Sequence, residues 1–301
     1  MKKFLSVLMA GAMLFGVLTL AGCGDTTTDT GEDTTTTEDT TTTAEFTTVT
    51  EGVLTMSTNA AFPPYEMTDD SGNIVGIDAE IAAAIAEKLG LELQIDDMDF
   101  DGALAAPQSG KSDIVMAGVT VNEERQLVLD FSNTYANGVQ KVIVAEGSDI
   151  TMENLGEQQI GTQKGTTGNI LTTDEFGEDH VIAYDDAIAA VQALNNGQID
   201  CVVIDSAVAD NLVEANPGLT TLDTDYANEE YAIGVAKGNT ALLDAINTAL
   251  QELIDDGTVQ SIIDKYIPTD GTAADEAGTT DEAGATDEAG ATDGAEADTA
   301  A

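Results

Sequence analysis

The sequence predicts an α/β protein with mainly parallel sheets, and three observations carry that reading. β-rich runs alternate with helical patterns along the chain. One strand–helix unit occurs twice with matched spacing. Low-complexity segments at both ends confine the folding part to about residues 47–268, a size that suits one large domain or two small ones.

The first element is a leader. "MKKFLSVLMAGAMLFGVLTLAGCGD" sets Lys2 and Lys3 before a short apolar run that ends in Leu20-Ala21-Gly22-Cys23. A charged start, an apolar centre and small residues before a cleavage point describe a secretory signal over residues 1–22. A transmembrane anchor would need a longer run, and no other span is long and apolar enough. Residues 23–46 follow, almost all Thr, Asp and Glu. They bury too little apolar surface to fold and read as a disordered tether.

Within the folding part, "GVLTMST", "DIVMAGV", "QKVIVAE", "QIGTQ", "DCVVID" and "YAIGVAK" read as strands. "GIDAEIAAAIAEKLG" reads as a helix with Asp78 as N-cap and Gly90 as stop, and Ile81, Ile85 and Leu89 fall on one face. "TALLDAINTALQELIDDG" repeats that pattern from Thr240 to Gly257. The twin unit is "GALAAPQSGKSDIVMAGVT" and "AIAAVQALNNGQIDCVVIDSA". Each has a small-residue helix, a Gly stop (Gly110, Gly197), an Asp three residues on (Asp113, Asp200), and a strand. Five residues past each Asp stand Gly118 and Asp205, and a helix follows in "NEERQLVL" and "SAVADNLVEA". Two strand ends facing each other would frame a site between two lobes. Residues 269–301 repeat "DEAGTT DEAGAT DEAGAT" without a basic residue and read as a solvated, disordered tail.

Composition excludes several functions. Fifty-six acidic residues against nine Lys+Arg give a formal charge of −47, which leaves no patch for nucleic acid or for anionic lipid. Only Cys23 and Cys201 are present, so no disulfide framework exists, and Cys201 in "QIDCVVID" reads as a small core hydrophobe. A lone histidine, His180, argues against a histidine metal site or a Ser-His-Asp triad, so no metal and no cofactor is expected.

Three features would face a cleft. In "MAGVTVNEER", Gly118 and Thr120 end a strand, Asn122 can cap the next helix, and Arg125 is the chain's sole arginine. Its guanidinium can fork onto a ligand carboxylate or form a salt bridge to one of many acids. In "QKGTTGN", Gln163 to Asn169, Gly and Thr residues before a helix can turn N–H groups toward an anion or make a plain turn; the P-loop spacing is missing. In "VVIDSA", Asp205 can cap a helix or accept from an ammonium. A cation, an anion and hydroxyls between them match a zwitterion. Phe62, Tyr65 and Phe100, in "NAAFPPYE" and "MDFDG", are candidate apolar walls in a chain that is only 4% aromatic.

These motifs, in their order over about residues 53–268, together with "GNIVGIDAEIAAAIAEKLG", "DFSNTY" and "DDGTVQSIIDKYI", resemble the extracellular solute-binding family 3 of ABC transporters, the polar amino-acid binders. The resemblance implies a two-lobed type II periplasmic-binding clamshell. Lobe 1 would combine about 51–136 with 233–268, lobe 2 would be the inserted 140–229, and hinges would lie near "YANGV" and "NEEYA". It implies that Arg125 with Thr120 binds the ligand carboxylate, that Thr167 and Gln163 add contacts, and that Asp205 with the Gly118 carbonyl and Thr120 meets the α-ammonium. Phe62 and Phe100 would flank the side chain. The final Leu-Ala-Gly-Cys looks like a lipobox, which implies a lipidated Cys23 on the extracytoplasmic face of a bacterial membrane. The implied partners are a free amino acid, polar or basic, and an ABC permease served by a monomer. Two positions depart from the family pattern: Asn59 stands where relatives often carry an Asp that meets a basic side chain, and Pro107 falls inside a helix it should shorten. The alternative within the same fold is a dehydratase of prephenate-like acids with Glu66 or another carboxylate as general acid or base. A sensor module would need a signalling domain that is not seen, and a purely structural surface protein would leave the binding motifs without a role.

Overall fold

The computed structural model describes residues 46–223 and 225–267. The leader, Cys23, the tether apart from Phe46, and the tail lie outside the described residues. Among the described residues no helix is long and apolar enough to cross a membrane.

Strand β1 (Val53–Thr58) lies between β5 (Glu92–Asp97) and β6 (Ile114–Val115), parallel to both. A small hairpin sheet of β2 (Ala61–Phe62), β3 (Glu66–Thr68) and β4 (Ile74–Val75) follows β1 and leads into α1 (Ile77–Leu89). Helix α1 buries Ile77, Ile81 and Ile85 and stops at Gly90, whose φ of 70° only glycine adopts freely. Asp78, expected to cap it, is instead fully buried in its first turn; the N-cap is Gly76. The Asp78 carboxylate accepts from the Gly118 N–H at 2.9 Å and the Tyr135 hydroxyl at 2.8 Å. Tertiary bonding has overridden the local capping preference.

Asp99 caps α2 (Phe100–Ala105), which ends two residues before Pro107, as proline geometry requires. Helix α3 (Glu123–Gln126) is a single turn capped by Asn122, shorter than the "NEERQLVL" pattern suggests. Leu127 and Val128 are left exposed.

The second half holds β8 (Ile160–Gln163), α4 (Thr167–Phe176), β9 (Val181–Tyr184), α5 (Ala187–Asn195), β10 (Cys201–Asp205) and α6 (Ser206–Ala215). Here β8 is parallel to β9 and β10. Two long strands, β7 (Leu129–Ala145) and β12 (Ala227–Ala236), run antiparallel to each other and join the halves, with the short β11 (Leu219–Thr221) on β7. The strand order β5-β1-β6-β12-β7-β10-β8-β9 is therefore mixed rather than mainly parallel, since β7 pairs antiparallel with β10, and β12 with β6. The helices α7 (Thr240–Asp255) and α8 (Thr258–Tyr266) return to the first half and pack on α1. The apolar core includes Leu54, Met56, Ile81, Ile85, Ile246 and Leu250 beside β1. Cys201 lies in a separate cluster with Val142, Val144, Ile160 and Val203. Burial pushes its thiol up to about 12, so it is an inert core side chain.

Candidate functional site

The carboxyl ends of two parallel strand pairs, β1 with β6 and β8 with β10, converge. Asn59 follows β1, Ala117 to Thr120 follow β6, Gln163 ends β8, and Asp205 ends β10. This is where open α/β sheets place ligands. Between the halves lies a small cavity lined by Asn59, Phe62, Glu66, Phe100, Ala117, Gly118, Thr120, Arg125, Gln140, Gln163, Thr166, Thr167, Glu229 and Tyr231. Eight of the nine expected site residues line it: Asn59, Phe62, Phe100, Gly118, Thr120, Arg125, Gln163 and Thr167.

Arg125 is 6% exposed, and no carboxylate lies within salt-bridge reach of it among the described residues. The Asn122 side chain accepts from its N–H at 2.8 Å, so the first turn of α3 is satisfied while the side chain leaves the helix. Nη1 donates to Thr120 O at 2.8 Å, Nη2 donates to Gly165 O at 3.2 Å, and the guanidinium lies over the Phe100 ring at 5.3 Å. Burial pulls its pKa below the ordinary value, offset first by the charge of Glu229. A buried cation held only by carbonyls and a ring lacks a counter-anion.

Helix α4 adds to this. The Thr166 hydroxyl donates to Gln163 O at 2.7 Å and places the α4 N-terminus at the cavity. Its leading N–H groups have no partner within the helix, and they favour an anion. A Cβ at Gly168 would come within 2.5 Å of Gln140 Oε1, so that side chain would have to shift.

Glu229 on β12 forms the second charged centre. It accepts from Thr120 Oγ1 at 2.7 Å, from Gln140 Nε2 at 2.5 Å and from the Tyr231 hydroxyl at 3.0 Å. Asp205 does not line the cavity. It caps α6, accepting from Ala207 and Val208 N–H, and its other oxygen accepts from Tyr231 at 2.8 Å. Burial pushes the Asp205 carboxyl up to about 7, with the Tyr231 bond opposing that rise. Tyr231 therefore has one hydrogen for two buried carboxylates. A Cβ at Gly138 would overlap the Asp205 carboxylate, so glycine lets β7 pass this cluster.

The third centre is Glu66, which is fully buried, lines the cavity and has no hydrogen-bond partner for either oxygen. Gln140 Oε1, Gln163 Oε1 and Thr167 Oγ1 are likewise unpartnered and line the same cavity. Only one such atom, Thr58 Oγ1, lies elsewhere among the described residues. Buried polar atoms are nearly always satisfied, so this concentration marks where a polar ligand's groups belong.

Sequence reasoning missed Gln140, Glu229 and Tyr231. They sit in "QKVIVAE" and "NEEYA", which read as a strand and a hinge. Glu66 figured there only as a general acid or base. Tyr65 is no wall: it is 2% exposed and packs behind Phe62 and edge-on to Tyr231.

The sequence pattern of the bacterial extracellular solute-binding proteins, family 3, matches residues 54–269. A probable histidine-binding protein of Neisseria gonorrhoeae is 29% identical over 91% of this chain and 98% of its own length. Among solved structures, an ancestral arginine-binding protein bound to glutamine is 39% identical with a TM-score of 0.70, covering 73% of this chain and 100% of its own. The holo arginine-binding protein of T. maritima is 38% identical with a TM-score of 0.65, covering 70% and 95%. These likenesses establish the two-lobed type II periplasmic-binding fold, with one lobe inserted into the other.

Proposed function

The chain belongs to the bacterial extracellular solute-binding proteins, family 3, and from that premise we propose that it captures an amino acid with a cationic side chain between its lobes and presents it to an ABC importer. The observation that carries this reading is the unpaired Arg125 in a cavity that also holds the orphaned Glu66. Arg125 and the α4 N-terminus take the ligand carboxylate. Glu229 and Thr120 take the α-ammonium, with the Gly118 carbonyl beside them, and Asp205 acts through Tyr231. Glu66 takes the cationic side chain, supplying the acid that Asn59 does not. Phe62 and Phe100 bound its apolar stem. The names of several relatives, binders of histidine and arginine, support a basic ligand, while others are named for cystine and glutamine.

The remainder of the reading follows the family. Lobe 1 spans about 51–136 and 233–268, lobe 2 about 140–229, and β7 and β12 serve as hinges. Ligand contacts to both lobes bias an open–closed equilibrium toward the closed form, which docks on the permease. Cys23 carries the lipid anchor, the tether of residues 23–46 holds the monomer off the outer face of the membrane, and no chemical step occurs. A thermal-shift panel of the twenty amino acids tests the proposal, since a ligand stabilises by mass action. Arginine, lysine or histidine should give the largest shift. A response confined to acidic or apolar amino acids would overturn it.

A further inference from the structure

We propose that Glu66 carries a proton in the ligand-free site, donated to Asp78, that a ligand with a cationic side chain expels this proton, and that a ligand with a neutral carboxamide side chain binds with the proton in place. The inference rests on the reading above that the site takes amino acids.

The geometry gives the two carboxyls different roles. Both are fully buried. Asp78 receives a donor on each oxygen, Gly118 N–H at 2.9 Å and Tyr135 O–H at 2.8 Å, which is the environment of an ionised carboxylate. Glu66 receives none. Two adjacent buried carboxylates cannot both ionise without a cation, and a proton on Glu66 resolves the conflict. It removes the second charge and turns the orphan into a donor to Asp78. The charges facing Glu66 are Asp78 from α1, Asp205 from the β10–α6 junction and Asp97 from β5. The phenols of Tyr65 and Tyr135 also face this cluster. Arg125 and Glu229 line the same cavity. Burial first, and then Asp78, holds the Glu66 carboxyl well above the usual carboxylate range. Burial lifts Asp78 only to about 6, against its two donors.

When a guanidinium or ammonium arrives, the Glu66 O–H bond breaks heterolytically. The electron pair stays on the carboxylate, the proton passes to solvent buffer, and the ligand keeps its own proton. A carboxamide brings no charge to hold Glu66 ionised. Its N–H groups are accepted by the carbonyl oxygen of the protonated acid. One pocket thus selects between two ligand classes by the state of a single proton.

The test is titration calorimetry of the mature protein with L-arginine and with L-glutamine, in phosphate and in Tris at about pH 7, where the difference in buffer enthalpy counts the protons released. The expected result is close to one proton per arginine and none per glutamine. Arginine affinity should fall up to about tenfold per pH unit on acidification, while glutamine affinity stays flat. Glu66→Gln should abolish the release. An infrared difference spectrum of the unaltered protein gives an independent readout, in which arginine removes a protonated-carboxyl band and glutamine does not. Arginine binding without proton release, or with release unchanged in Glu66→Gln, overturns the coupling and leaves the amino-acid reading standing. Failure of both amino acids to bind overturns that reading and the coupling with it.

Discussion

The side-chain amide of Gln163 donates to Asn59 Oδ1 at 2.9 Å, joining residues 104 apart in the chain, one at the end of β8 and one just beyond β1. Asn59 in turn donates to Met98 O at 2.8 Å. Together with the Arg125–Gly165 bond, this contact joins the two halves across the cavity. A buried hydrogen bond contributes about 1 kcal/mol net, so Asn59→Ala should shift the closed-to-open ratio roughly fivefold. Solution scattering of the ligand-free variant should show a larger radius of gyration than the parent. An unchanged radius would remove Asn59 from the closure.

Arg125→Ala should lower amino-acid affinity more than about a hundredfold, because a buried carboxylate that loses its paired charge costs about 3–5 kcal/mol. Arg125→Lys should recover only part of that. An ammonium cannot reproduce the fork that bonds Thr120 O and Gly165 O while facing the ligand. Calorimetry on both variants checks this, and equal affinities for Lys and the parent would exclude a bidentate clamp.

Glu229 and Asp205 can be separated by comparing an amino acid with its deaminated analogue. Glu229→Gln should weaken the amino acid by roughly tenfold or more and the analogue much less. Asp205→Asn should cost less, since its oxygens already serve α6 and Tyr231 and asparagine still caps a helix. A larger loss from Asp205→Asn would return the ammonium contact to Asp205.

The ligand-free protein should be more stable at about pH 5 than at about pH 8. Asp205 titrates at about 7 and Asp78 at about 6 when folded, against about 3.9 for an unfolded aspartate. Between those values the folded form binds more protons, so stability falls as pH rises through about 6 and 7, and Glu66, held well above the usual range by burial, extends the fall beyond them. Repulsion within a chain of formal charge −47 acts in the same direction. At about 2–4 °C per kcal/mol for a domain of this size, the melting temperature should drop by about 5 °C or more. A flat or rising profile would show that these carboxyls are ionised at little cost.

Much of this protein was legible in the residues. Local rules placed α1 with its Gly90 stop, the twin strand–helix units, the Asn122 cap, the early end of α2 before Pro107, and the sole arginine beside a strand end. Each depends on neighbours within a few positions, and sequence records those directly. The family pattern then supplied the two-lobed fold and most of the residues lining the cavity.

Other assignments depended on where distant segments meet. Asp78 reads as a helix cap by every local rule, yet Gly118 and Tyr135, 40 and 57 residues away, claim its carboxylate. Glu229 lies in what reads as a hinge, and only the pairing of β12 with β7 brings it to Gln140 and Thr120. Glu66 reads in the sequence only as a candidate general acid or base, and burial without a partner is visible in the structure alone. The sequence by itself determined the α/β class and set the sole arginine just beyond a strand end, because periodicity, caps and composition are local. The tertiary structure decided which carboxyls line the cavity, which one holds a tyrosine and which one lacks any donor, because desolvation and hydrogen bonding between distant segments exist only once the chain has closed on itself.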